Sequence, residues 1–195
     1  MDYRDKLINI EKALSLVKSG DVIVTGLGAA EAQAFMNDIH TIASRVKDVT
    51  ITNCLPMSNG EFLKEEYKDS FKVDGWFYAP ALRKAHKNGN ISFIPNHLHL
   101  AGTKRLDFVK PNIYVGSATM PDKHGYISLS LSNTYEKRMM EKADIVILEI
   151  NKNYPRTFGD VEIHYSEIDY LVETDYPVPV LGDALPSEKD MLIGA

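Results

Sequence analysis

Leu7, Ile10, Leu14 and Val17 recur at spacings of three and four, the apolar stripe of an amphipathic helix, and Ser19-Gly20-Asp21 ends it. Val22-Ile23-Val24-Thr25 then reads as a short β-branched strand closing on Gly26. The stretch from Glu31 to Val46 predicts a helix of about four turns. Further strands are expected at Val49 to Asn53, within Phe71 to Phe77, at Ile91 to Pro95, at Ile113 to Gly116 and at Asp144 to Ile150. Helix-compatible sequence separates them, including Asn133 to Ala143 before the last.

Strands alternating with helices predict an α/β fold, a mostly parallel sheet flanked by helices. Gly125 to Ser132 breaks the rhythm: its strict apolar/polar alternation suits a hairpin or edge strand. Tyr176-Pro177-Val178-Pro179 and Leu185-Pro186 cannot continue a helix or a central strand, so the domain is expected to close near Val172. The expected division is an α/β domain over 1–173, then a proline-rich linker over 174–195. Within the linker, Ser187 is placed to cap a new helix that the sequence scarcely begins.

Composition narrows the function classes. A net charge of -5 argues against nucleic acid as the main partner, because phosphate binding needs clustered Lys and Arg. Cys54 is the only cysteine, which forbids an intrachain disulfide and suits a reduced compartment. Met1-Asp2-Tyr3-Arg4-Asp5-Lys6 has no apolar run of the kind a signal peptide carries, and no stretch approaches the roughly 20 apolar residues of a membrane span. A cytoplasmic protein is expected.

Four segments could carry chemistry. Gly26-Leu27-Gly28-Ala29-Ala30-Glu31 joins a strand to a helix, where backbone amides point outward at an anion or a polarised carbonyl. As a dinucleotide fingerprint it is poor, since Glu31 takes the third glycine position and would repel a pyrophosphate. Pro121-Asp122-Lys123-His124-Gly125 places His124 at a turn. Asn151 to Asp160 follows the most apolar strand, where α/β proteins bind ligands, and offers Arg156 to a carboxylate or phosphate. His97-Leu98-His99 has metal-like spacing but no companion carboxylate, so no metal is assigned.

Three of these segments, Gly26 to Gln33, Pro121 to Ser128 and Asn151 to Asp160 running on into Ile163-His164-Tyr165-Ser166-Glu167-Ile168-Asp169-Tyr170, resemble the acetyl-CoA hydrolase / 4-hydroxybutyrate CoA-transferase family, class I CoA transferases. The likeness spans nearly the whole chain and corresponds to that family's N-terminal domain. It implies a homo-oligomeric, two-domain enzyme without a permanent cofactor. Coenzyme A would move between an acyl thioester and a small acid of the acetate, butyrate or 4-hydroxybutyrate type. The nucleophilic glutamate would lie in the second domain, beyond Ala195, leaving this half inactive alone. By the same resemblance Gly26, Gly28, Glu31 and Gln33 line the cleft, His97 and His124 approach the substrate, and Arg156 orients a carboxylate. The loop departs from many relatives in having Ala32 where they have proline, and Asn96-His97-Leu98 is more polar than expected after Pro95. The other reading is a stand-alone module that binds CoA or a carboxylate without reaction.

Overall fold

The computed structural model describes residues 2–180, 182 and 185–194. Seven strands form one parallel sheet: β1 (Val22–Thr25), β2 (Val49–Cys54), β3 (Phe71–Phe77), β4 (Ile91–Phe93), β5 (Ile113–Ala118), β7 (Ile145–Asn151) and β9 (Tyr170–Thr174). Their order is β4-β3-β2-β1-β5-β7-β9. The remaining strands, β6 (Tyr126–Ser128) and β8 (Glu162–His164), pair antiparallel in a separate ribbon, so the alternating segment does leave the main sheet. Six short helices complete the fold: α1 (Ile10–Ser15), α2 (Gln33–Asp38), α3 (Pro80–Ala85), α4 (Ala101–Lys104), α5 (Glu136–Lys142) and α6 (Glu188–Ile193).

The central strands are near-continuous apolar runs because both faces of a parallel sheet are covered. On one face Ile23, Ile51, Val73, Val115 and Ile147 pack with Phe35 and Met36 of α2 and Leu82 of α3. On the other, Tyr114, Leu148 and Leu171 pack with Met139 of α5 and with Ile127 and Ile163 of the ribbon.

Two expectations need correction. The helix expected over Glu31 to Val46 is broken into α2 and a 3-10 turn at Ile39–Ile42, and Glu31 and Ala32 before it are extended. The Glu31 side chain turns inward instead of starting a helix, and this directs the chain there. The first helix is shorter than its stripe, because Leu7 bridges to Leu171 at the sheet edge and only Ile10 onward is helical. β9 was not singled out by the pattern. Ser187 does cap α6, in a reciprocal pair with Asp190. Among the described residues no helix is long and apolar enough to cross a membrane.

Candidate functional site

The strand order reverses between β1 and β5, and in open α/β sheets ligands bind beyond the carboxyl ends of the strands at that reversal. The segment leaving β1 there is the glycine loop. Any Cβ at Gly26 would overlap the Ala30 carbonyl, and Gly28 adopts φ +56°, the left-handed region that glycine enters without steric cost.

The loop is held almost group by group. The Tyr135 hydroxyl donates to the Thr25 carbonyl at 2.9 Å, and the Leu27 amide donates to the buried Glu136 carboxylate at 3.0 Å. The Gly26 amide donates to the Val115 carbonyl at 3.1 Å. The Tyr154 hydroxyl donates to the Ala29 carbonyl at 2.7 Å, and Ser117 Oγ donates to the Glu31 carbonyl at 2.9 Å. The amides of Gly28 and Ala29 have no acceptor among the described residues. Two adjacent free donors on a rigid loop form a site for negative charge.

Beneath the loop, the α2 face of the sheet turns polar at its carboxyl ends: Thr25, Asn53, Ser117 and Glu149 continue the apolar rows and are all buried. Glu149 accepts from the Phe35 amide at 2.6 Å, the Ala34 amide at 3.2 Å and the Tyr176 hydroxyl at 2.5 Å. It thereby caps α2 from a neighbouring strand. Tyr176 also meets Ser117 Oγ at 3.0 Å, which ties the chain after β9 into the same network. Glu31 is fully buried and accepts from the Met57 and Ser58 amides, each at 2.7 Å, and from Gln33 Nε2 at 3.3 Å. Burial raises the Glu31 carboxyl to about 7, against the hydrogen bonds that favour its charged form. Burial likewise raises Glu149 to about 7, and the Glu31 charge adds to that.

Beside the loop, on the other face, lies a cavity of about 330 Å³ lined by Leu27, Cys54, Leu55, Trp76, Asn96 and Leu98. Leu55 is held at φ +56°, an uncommon state for a branched side chain and the kind of strain that gathers at ligand sites. Burial pushes the Cys54 thiol up to about 11, so it stays protonated and adds to the apolar wall.

The seven residues proposed from sequence therefore divide. Gly26, Gly28, Glu31 and Gln33 cluster at the strand reversal, with Glu31 and Gln33 buried as supports. His97 is exposed in the segment whose Asn96 and Leu98 line the cavity. His97 and His99 flank a 3-10 turn with ring centroids 5.6 Å apart, and the described residues contain no group of three metal-ligating side chains. His124 lies instead in a groove with Tyr3, Arg4 and His164. Arg156 is engaged within the chain, by Glu162 at 2.6 Å, Asp122 at 3.3 Å and the Tyr126 carbonyl at 3.1 Å. Sequence reasoning passed over Glu149, Ser117, Tyr176, Leu55 and Trp76. A glutamate inside the apolar run Ile145 to Ile150 was the signal available for the first.

Residues 1–182 match the family described as the acetyl-CoA hydrolase/transferase N-terminal domain. The 4-hydroxybutyrate coenzyme A transferase of Clostridium kluyveri is 34% identical over 93% of this chain and 44% of its own length. A probable butyrate:acetyl-CoA coenzyme A-transferase of Syntrophomonas wolfei is 32% identical over 97% and 43%. The crystal structure of RipA from Yersinia pestis superposes with a TM-score of 0.87 at 26% identity, covering 95% of this chain and 47% of that one. The chain spans less than half the length of these relatives. A decarboxylase AibA/AibB variant shares the fold alone, at 13% identity and a TM-score of 0.57, over 87% of this chain and 82% of that chain.

Proposed function

The chain belongs to the acetyl-CoA hydrolase/transferase N-terminal domain family, and from that premise we propose that its carboxyl edge forms the acyl side of a site that moves coenzyme A between an acyl thioester and a small carboxylic acid. The observation that carries this reading is the juxtaposition of the apolar cavity with the free amides of Gly28 and Ala29. The thioester's acyl chain enters the cavity and its carbonyl oxygen faces the amides. Charge that develops on that oxygen during attack is met by donors already in place. His97 stands by the mouth, while Glu31 and Gln33 hold the loop from below. His124 and Arg156 brace the ribbon against the loop after β7.

The attacking carboxylate is a glutamate of a second domain, which the full lengths of the transferase relatives leave room for, and CoA passes through a glutamyl thioester. Glu31, Glu136 and Glu149 each accept two or more hydrogen bonds in buried positions, which suits support and not nucleophilic attack. Titration of the chain with butyryl-CoA, followed by amide NMR, tests the site. Shifts concentrated at Gly28, Ala29, Leu55 and Ala101 are expected. Shifts confined to Lys123, His124 and His164 would overturn it. Assayed alone with acetyl-CoA and butyrate, the chain is expected to give no exchange, and turnover would place the nucleophile within it.

A further inference from the structure

The cavity wall is apolar except at one place. Leu27, Leu55, Phe77, Leu98 and Ala101 offer no hydrogen bond, and the Cys54 thiol is held protonated. The Trp76 N–H is buried without a partner, so it is not presented to the opening. Asn96 lines the same cavity, is only half-buried, and its carboxamide makes no hydrogen bond to any described residue. A carboxamide both donates and accepts, so it can satisfy a hydroxyl completely.

We infer that Asn96 selects for a short acyl chain carrying a hydroxyl group over the plain hydrocarbon chain of the same size. This rests on the acyl-pocket reading above and extends it to a substrate class. A volume of about 330 Å³ lies at the small end of ligand sites, which restricts the acyl group to a few carbons. Within that limit an alkyl terminus packed against Asn96 strips water from the carboxamide and returns nothing. A hydroxyl at the same position replaces the lost water bond. Sites with a committed polar group reject the analogue lacking its partner more strongly than apolar pockets reject an extra methylene.

Trp76 is the chain's only tryptophan and lines the cavity, so its fluorescence reports occupancy directly. The probes are 4-hydroxybutyryl-CoA and pentanoyl-CoA, which differ only by a hydroxyl in place of a methyl. The wild-type chain is expected to bind the hydroxyacyl thioester about tenfold more tightly, the scale of one net hydrogen bond. Asn96→Leu should abolish or reverse the preference, and Asn96→Thr, which keeps a hydroxyl, should retain part of it. Equal binding of the two probes by the wild type, or an unchanged preference in Asn96→Leu, would overturn the assignment while leaving the acyl pocket in place. Failure of both probes to change the Trp76 signal would overturn the pocket reading as well. Asn96 has no internal hydrogen bond to lose, and equal melting temperatures of the three chains verify that folding is unaffected.

Discussion

The glycine loop and the β6–β8 ribbon both hold residues that match the family pattern, yet they are built on opposite principles. Around the loop the polar groups are buried and bonded to backbone: Glu31 to two loop amides, Glu149 to the start of α2, Glu136 to Leu27. At the ribbon they are at least partly exposed and paired with one another, Arg156 with Glu162 and Asp122. Buried groups cannot move without leaving unpaired donors behind, so the first region is fixed in shape. Water substitutes readily for a surface ion pair, so the second tolerates change. Similarity of sequence does not distinguish a residue that shapes a site from one that braces a distant ribbon; burial and bonding do.

The strongest break of this contrast is Glu149→Ala, which strands the Ala34 and Phe35 amides and the Tyr176 hydroxyl. At roughly 1–3 kcal/mol for each buried group left unpaired, a loss of at least about 3 kcal/mol is expected in urea unfolding. A loss below 1 kcal/mol would show that the network carries little. Tyr176→Phe comes next, removing one hydroxyl from the same network, with an expected loss of about 1–3 kcal/mol. Faster proteolytic cleavage near Pro177 should accompany it.

The regions should also separate by pH. Burial raises Glu31 and Glu149 from 4.5 to about 7, so the folded chain holds those protons more tightly than the unfolded chain does. Their contribution is complete below about pH 4.5 and is lost as pH rises toward 7. Asp122 runs the other way: the Tyr126 amide holds its carboxyl below the usual value, so its contribution is lost on acidification. Unfolding free energies at pH 5 and pH 8 should fall between the two for the wild type and fall less for Glu149→Gln, which cannot ionise. An identical fall in both would remove Glu149 from the account. The smallest effects belong to the ribbon: Arg156→Ala is expected to cost about 1 kcal/mol, His124→Ala less than about 0.5, and neither should alter acyl-CoA binding. A tenfold weakening of binding by either would reunite the two regions in one site.

Much of the fold was legible in the chain. Parallel strands covered on both faces must be apolar along their length, and Val22 to Thr25, Val49 to Asn53 and Ile145 to Ile150 carry that mark. The glycine loop was legible because Gly26 and Gly28 stand where a strand has to turn into a helix. Glu31 was legible as a residue but not in its role, since nothing local tells whether a carboxylate faces solvent or the amides of Met57 and Ser58. The same limit hid β9, whose short run gains its meaning from pairing with β7.

The sequence by itself therefore determined the class of fold, the turn that opens the site and the family, all of which follow from periodicity and local residue type. Only the tertiary structure decided that Glu31, Glu149 and Tyr176 belong to one buried network, that Asn96 meets Leu27 and Trp76 across a cavity, and that His124 and Arg156 lie elsewhere. Those facts depend on contacts between residues more than a hundred positions apart in some pairs, such as Phe35 and Glu149. Strand order sets such contacts, and no local pattern of hydrophobic and polar residues encodes them.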